Sequence, residues 1–209
     1  MRPTSIVIAL SSALDVDAAR RLNDYGDLDD AGVARALEQV HMQRWGRTDC
    51  PAHLRRITGI AAVVEHGRTL RVLEFDAGTS EADLLSALLA DCPVDAGTLV
   101  DWSGEAGALL LARACRHALV VPGSLSMAER VALAERVAPA RPGHPAAPSQ
   151  VEDEYHQLHD RTVGAGSLKD RAVARYRAWL AWQVCCGDLL AVEHTAREDA
   201  LGRELSNQD

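Results

Sequence analysis

The sequence predicts an α/β fold: a mixed sheet with flanking helices and a helical C-terminus. Three observations carry that prediction. Ile6–Leu10 is apolar at nearly every position and runs into two serines, as a central strand covered on both faces does. Ile57–Val64 and Leu70–Phe75 flank the turn pair His66-Gly67 and read as an antiparallel ribbon. Leu99–Ala112, LVDWSGEAGALLLA, reads as a strand end, a polar turn and a helix opening near Ala108.

Taken in order, Asp15–Tyr25 is expected to form a short helix or covering segment after the first strand. Asp27–Arg44 opens on the acidic, cap-like GDLDD and carries Val33, Leu37 and Val40 at helical spacing, which predicts a helix. Ser80–Leu89 has Ser80 as N-cap, Asp83 to close a capping-box-like start, and leucines 84, 85, 88 and 89 on one face. Thr98–Trp102 is the next strand and Gly107–His117 the helix after it. Strand, helix, ribbon, helix, strand, helix is the pattern of a sheet with helices packed on it.

Beyond Val121 the character shifts. PGSLSMAERVALAERVAP has the composition of a short helix, and a Pro-rich loop follows near 139–150. Val151–His159 is expected to be helical. The C-terminal helical segment, 168–205, holds the longest amphipathic stretch, Lys169–Val192, whose Tyr176, Trp179 and Trp182 at helical spacing signify core packing. A charged helix, Glu193–Glu204, ends it.

With 47% hydrophobic and 25% charged residues over 209 positions, the chain supports one sizeable core, so residues 1–209 are read as a single domain. The net charge is −8 and Lys169 is the only lysine. An acidic chain is repelled by a phosphate backbone unless its arginines gather locally, which excludes a generally basic nucleic-acid binder. Five scattered cysteines without a CxxC pair suggest neither a disulfide framework nor a zinc site, and Cys185-Cys186 read as buried small hydrophobes. These features fit a reduced cytoplasmic location, and no apolar stretch approaches membrane-spanning length, so no membrane partner is expected.

Several segments resemble, in order and spacing, the predicted 3′-5′ exonuclease family related to the proofreading domain of family B DNA polymerases, a DEDD-type branch of the RNase H-like fold. IVIALSSALD resembles the family's apolar strand running into Asp-x-Glu-Thr and a later Asp, which Asp15 keeps. GDLDDAGVARALEQV, CPAHLRRITGIAAVV, SEADLLSALL and LVDWSGEAGALLLARACRHAL follow, the last resembling a strand-Trp-Asn-Gly-turn-helix signature. RYRAWLAWQVCCGDL and REDALGREL resemble the closing helices. The likeness covers about residues 5–122 and 168–205 and implies a single RNase H-like exonuclease-like domain.

The departures fall on the chemistry. The resemblance aligns the family's first two acids with Ala9 and Ser11, the third with Ala108 and the fourth with Arg171, and it places the assisting tyrosine or histidine near Ser167. A two-Mg²⁺ site needs several carboxylates to offset its charge. Alanine supplies no ligand, and an arginine supplies a fixed positive charge. No catalytic or metal-ligating residue is therefore assigned and no cofactor is expected, with Mg²⁺ or Mn²⁺ admitted only if Asp101, Glu105 or Asp170 rebuilds the site. Arg55-Arg56, opening a strand, are placed to touch phosphate, and one of them is expected to pair with acids of the preceding helix. With Trp102 and Arg171 they form the candidate nucleic-acid-binding set. The pair His156 and His159, next to Asp160, reads as a solvated helical pair.

The expected function is that of a catalytically inactive, exonuclease-like binding or regulatory module, its partner a weakly held nucleic acid or a protein. The alternatives are an active exonuclease using displaced acids and a protein-interaction scaffold. The four aligned positions are expected to converge on one side of the sheet. Arg171 is expected to pair with Asp101 or Glu105, because a buried unpaired guanidinium is costly.

Overall fold

In the computed structural model, which describes residues 4–46, 52–67, 69–75, 80–92, 97–119, 129–133 and 166–208, β1 (Thr4–Leu14) is the central strand. It pairs antiparallel with β2 (Arg55–His66), which pairs antiparallel with β3 (Thr69–Phe75) across the turn at Gly67. On its other side β1 runs parallel to β4 (Gly97–Asp101), and β4 parallel to β5 (Glu129–Ala132). The order β3-β2-β1-β4-β5, with helices on both faces, is an RNase H-like arrangement.

Alternation along β1 sorts the core into two layers. Val7 and Ala9 join Ala61, Val63, Val100 and Trp102 beneath α5 (Leu168–Cys186) and α6 (Ala191–Ser206), which contribute Ala172, Tyr176, Trp179, Leu180 and Leu201. Ile6 and Ile8 join Ile60, Ala62 and Leu99 on the other face, beneath α3 (Glu81–Asp91) and α4 (Glu105–Arg116). A smaller cluster of Ala18, Leu37 and Leu54 ties α1 (Val16–Leu22) and α2 (Asp30–Trp45) to the end of β1.

Among the described residues the expected strands and most of the expected helices are present, with differences that have local causes. Asp15, Asp29 and Ser80 cap α1, α2 and α3, each accepting a backbone N–H of the first turn. On α2, Val33 and Leu37 are buried, whereas Val40 is 41% exposed. The helix expected from Gly107 begins at Glu105 instead, because Asp101 caps it from outside, as described below. Residues 129–132, expected within a short helix, form β5. Helix formers fill ERVALAERV, yet β4 needs a partner for its outer backbone groups, and Val131 and Leu133 alternate into the core to supply one.

The long C-terminal helix expected over 169–192 ends earlier, at Cys186, and the second helix starts at Ala191. Gly187 takes φ +78°, closing α5 with its N–H on the carbonyls of Gln183 and Val184. Cys185 and Cys186, expected to be buried, are both exposed on that last turn, whereas Cys92 is buried under α3 and its thiol is pushed up to about 12, burial being the main cause. The Pro-rich loop near 139–150, the helix expected over 151–159 with His156, His159 and Asp160, and Cys50 lie outside the described residues.

The break at Gly187 generates a pair of opposite expectations. Gly187→Ala forces a side chain into the left-handed region and is expected to cost about 1–2 kcal/mol. Gly202→Ala, inside α6 with open space around an added Cβ, is expected to stabilise by about 0.5–1 kcal/mol. Urea unfolding of the two variants measures both. Equal signs would contradict the two-helix reading.

Candidate functional site

The likeness directs attention to the ends of β1 and β4, where the two strands part. Their pairing runs from Thr4–Gly97 to Val7–Val100 and stops. The next β1 carbonyl, Ile8 O, accepts a 2.8 Å hydrogen bond from Arg175 Nη1, reaching in from the second turn of α5. Arg175 is 8% exposed, and its charge acts on Asp101 at the end of β4. A guanidinium thus occupies the parting between the two strands.

Asp101 is committed as well. Its carboxylate accepts the N–H of Gly104 through one oxygen and that of Gly107, at 2.7 Å, through the other. Gly104, the residue before α4, offers no side-chain cap, so Asp101 satisfies the helix's free amides from three residues upstream. Gly107 permits this, since a Cβ there would press on Leu99 at 3.2 Å and stand 3.7 Å from the Asp101 carboxylate. Burial raises the Asp101 carboxyl above its ordinary pKa, and the amides of Gly107 and Gly104 with the charge of Arg175 offset only part of that rise.

The remaining aligned positions are as follows. Ala9 is 1% exposed and packed in the core with Ala61 and Ala172, so a small side chain here lets α5 approach the sheet. Ser11 is half-buried, its hydroxyl 2.9 Å from that of Thr58. Both lie on the face covered by α5, whose first turn carries Arg171. Ala108 is exposed on α4, which covers the opposite face, so the expected one-sided arrangement is corrected at that position, and the other three belong to the α5 side of the sheet. Arg171 is exposed, and the pairing expected of it falls to others: Arg175 stands by Asp101, and Glu105 faces Arg55 Nη1 at 4.0 Å.

The two other acids expected to stand in for lost ones divide in the same way. Asp170 accepts the backbone N–H and hydroxyl of Ser167, making the capping box that opens α5. Glu105 has a side chain 75% exposed. Among the described residues no three of His, Cys, Asp and Glu gather to hold a metal. Two alanines, a cation between the strands and a capping carboxylate do not fit a two-metal centre.

Of the candidate nucleic-acid contacts, Arg55 is half-buried and donates Nε and Nη2 to Ser12 Oγ at 3.0 and 2.6 Å. Its partners are thus β1 and α4, not the acids of the preceding helix. Arg56 is exposed beside it, and Leu168 at the start of α5 lies against Ser11 and Gly59, so Arg55, Arg56 and Arg171 belong to the same end of the sheet. Trp102 is 2% exposed in the core and presents no ring face for stacking, which corrects its inclusion.

Sequence reasoning missed a buried cluster of charged side chains around Arg113. Arg113 of α4 donates Nε to both Glu81 carboxylate oxygens, at 2.8 and 2.9 Å, and both terminal nitrogens to Asp15 Oδ2, at 3.2 Å. Nη2 of Arg113 also bonds Glu81 Oε2. Arg116 reaches Asp15 at 3.1 Å, His117 reaches Glu81 at 2.8 Å, and the Ile57 amide donates to Glu81 at 2.6 Å. Burial tends to raise the Asp15 and Glu81 carboxyls. For Asp15, the Ala18 amide with Arg113 and Arg116 outweighs it; for Glu81, Arg113, His117 and the Ile57 amide do. Both end below their ordinary values. Acids opening α1 and α3, with Arg113 and Arg116 three apart on α4, were the visible signal.

Fold and strand-end chemistry together define an RNase H-like sheet whose strand ends are filled by its own arginine. Comparison of the chain with protein-family models, with curated proteins and with solved structures finds no match.

The ion cluster sets an expectation for stability. Arg113→Met leaves two buried carboxylates without their main partner and is expected to cost about 3–5 kcal/mol near neutral pH. Because Asp15 and Glu81 are depressed in the fold, their contribution is complete above their unfolded values and is lost as pH falls through the lowered ones. Asp101, raised in the fold, takes up its proton earlier and offsets part of that loss. Urea midpoints from neutral to acid pH should therefore fall for the wild type and converge on those of Arg113→Met. A gap that holds constant into acid contradicts the assignment.

Proposed function

We propose that this chain is a 3′-5′ exonuclease-like module of the family B proofreading type that binds rather than cuts. The observation that carries this is Arg175, whose guanidinium sits between β1 and β4 on Ile8 O and beside Asp101. A fixed cation at that point repels a divalent ion, and Asp101, whose carboxylate feels that charge, spends both oxygens on helix amides. Ala9, buried and tightly packed, leaves no room for a water-bearing metal shell.

Binding is assigned to the exposed arginines at that end of the sheet. Arg56 and Arg171, with Arg55 held by Ser12, give a short basic rim on a chain of net charge −8. Such a rim reaches only a few phosphates of a single strand, so its affinity is weak and falls steeply with salt.

The test is incubation of a labelled single strand with the wild-type chain and Mg²⁺ or Mn²⁺, beside a binding titration. No shortening of the strand is expected, and binding should weaken about tenfold or more between 50 and 200 mM salt. Arg56→Ala with Arg171→Ala should flatten the salt dependence. Strand shortening that a chelator and Asp101→Ala both abolish would show that the acids had been rebuilt, and the proposal would fail.

A further inference from the structure

At the middle of β3, the outward backbone groups of Val72 are met by two side chains in a way that points to what they exclude. Among the described residues β3 ends the sheet, and Val72, paired with Val63 of β2, turns its own N–H and C=O away from that partner. Neither group is left to solvent. The Val72 amide donates to Glu204 Oε1 at 3.4 Å, and Gln208 Nε2 donates to Val72 O at 2.8 Å and to Glu204 Oε1 at 3.2 Å. One acceptor on the last turn of α6 and one donor just past its C-cap thus reproduce what a residue of a neighbouring strand would offer.

We propose that Glu204 and Gln208 form a strap that keeps β3 from pairing with the β3 of a second copy of this chain. An unprotected edge of seven residues is a template for strand addition. The sequence TLRVLEF suits pairing with itself in antiparallel register about Val72. Val72 then faces its counterpart, Thr69 faces Phe75 as a β-branched and aromatic pair, Arg71 faces Leu73, and Glu74 faces Leu70. No like charges oppose one another. The product closes on a two-fold axis, because the same edge of each copy pairs with itself.

Opening the strap does not require α6 to leave. Leu201 is fully buried, and Arg197 Nε holds Glu65 at 2.9 Å, so the helix stays docked when the side chains of Glu204 and Gln208 are removed. The strap is a local device, independent of the strand-end site.

The experiment combines sedimentation with amide exchange on Glu204→Ala/Gln208→Ala, using circular dichroism to verify folding. In dilute solution the Val72 amide should exchange at least about tenfold faster than in the wild type. With rising concentration the mass should double relative to the wild type and the Val72 amide become protected again. Gln208→Glu, which sets a second carboxylate against the Val72 carbonyl, should behave alike and serves if the double variant does not fold. Unchanged exchange at Val72, a mass equal to the wild type at every concentration, or doubling that leaves Val72 unprotected each overturns the proposal.

Discussion

Burying a guanidinium where two parallel strands part is expensive unless every side of it is answered, and the rest of this architecture is arranged around that demand. Arg175 finds the Ile8 carbonyl directly and the Asp101 charge close by. To bring it there α5 must lie flat on the sheet, which is why Ala9, Ala61 and Ala172 stand where the helix crosses. Asp101 in turn holds the first amides of α4, so the same spot fixes a helix on each face of the sheet. Replacing Ala9 by a larger group displaces α5 and with it the charge that makes Asp101 tolerable.

Two further polar networks do for the periphery what Arg175 does for the centre. Arg113, with Asp15 and Glu81, ties the start of α1, the start of α3 and the end of α4 to the beginning of β2 through the Ile57 amide. Glu65 on β2 accepts from Tyr176 of α5 at 3.1 Å and pairs with Arg197 of α6, and its charge together with burial raises the tyrosine well above its usual range. In each case a carboxylate on or beside the sheet organises helices that the apolar layers alone would leave free to slide. Such contacts add specificity of packing more than net stability, since both charges lose water to form them.

Strand and helix positions were legible in the sequence where the hydrophobic period was strong, as in Ile6–Leu10, the ribbon about Gly67, and the leucines of α3. β5 was not, because its four residues carry helix-forming side chains and become a strand only through the partner they complete. The break at Gly187 was visible as a glycine but hidden by the apolar positions that continue past it. At the site, the small uncharged side chains at Ala9 and Ala108 could be read directly. The identity of the intervening cation could not: Arg171 and Arg175 lie one turn apart, and only three-dimensional packing decides that the second points between the strands. The Arg113 cluster escaped for a related reason, its members being separated by up to about a hundred residues of chain.

The centre of the sheet keeps its shape because the arginine and the capping carboxylate answer one another and the backbone around them. The account stands or falls on whether that spot accepts a divalent ion. Calorimetric titration of the wild-type chain with Mn²⁺ measures this most directly. The account predicts no saturable heat; saturable binding that Asp101→Ala abolishes would contradict it.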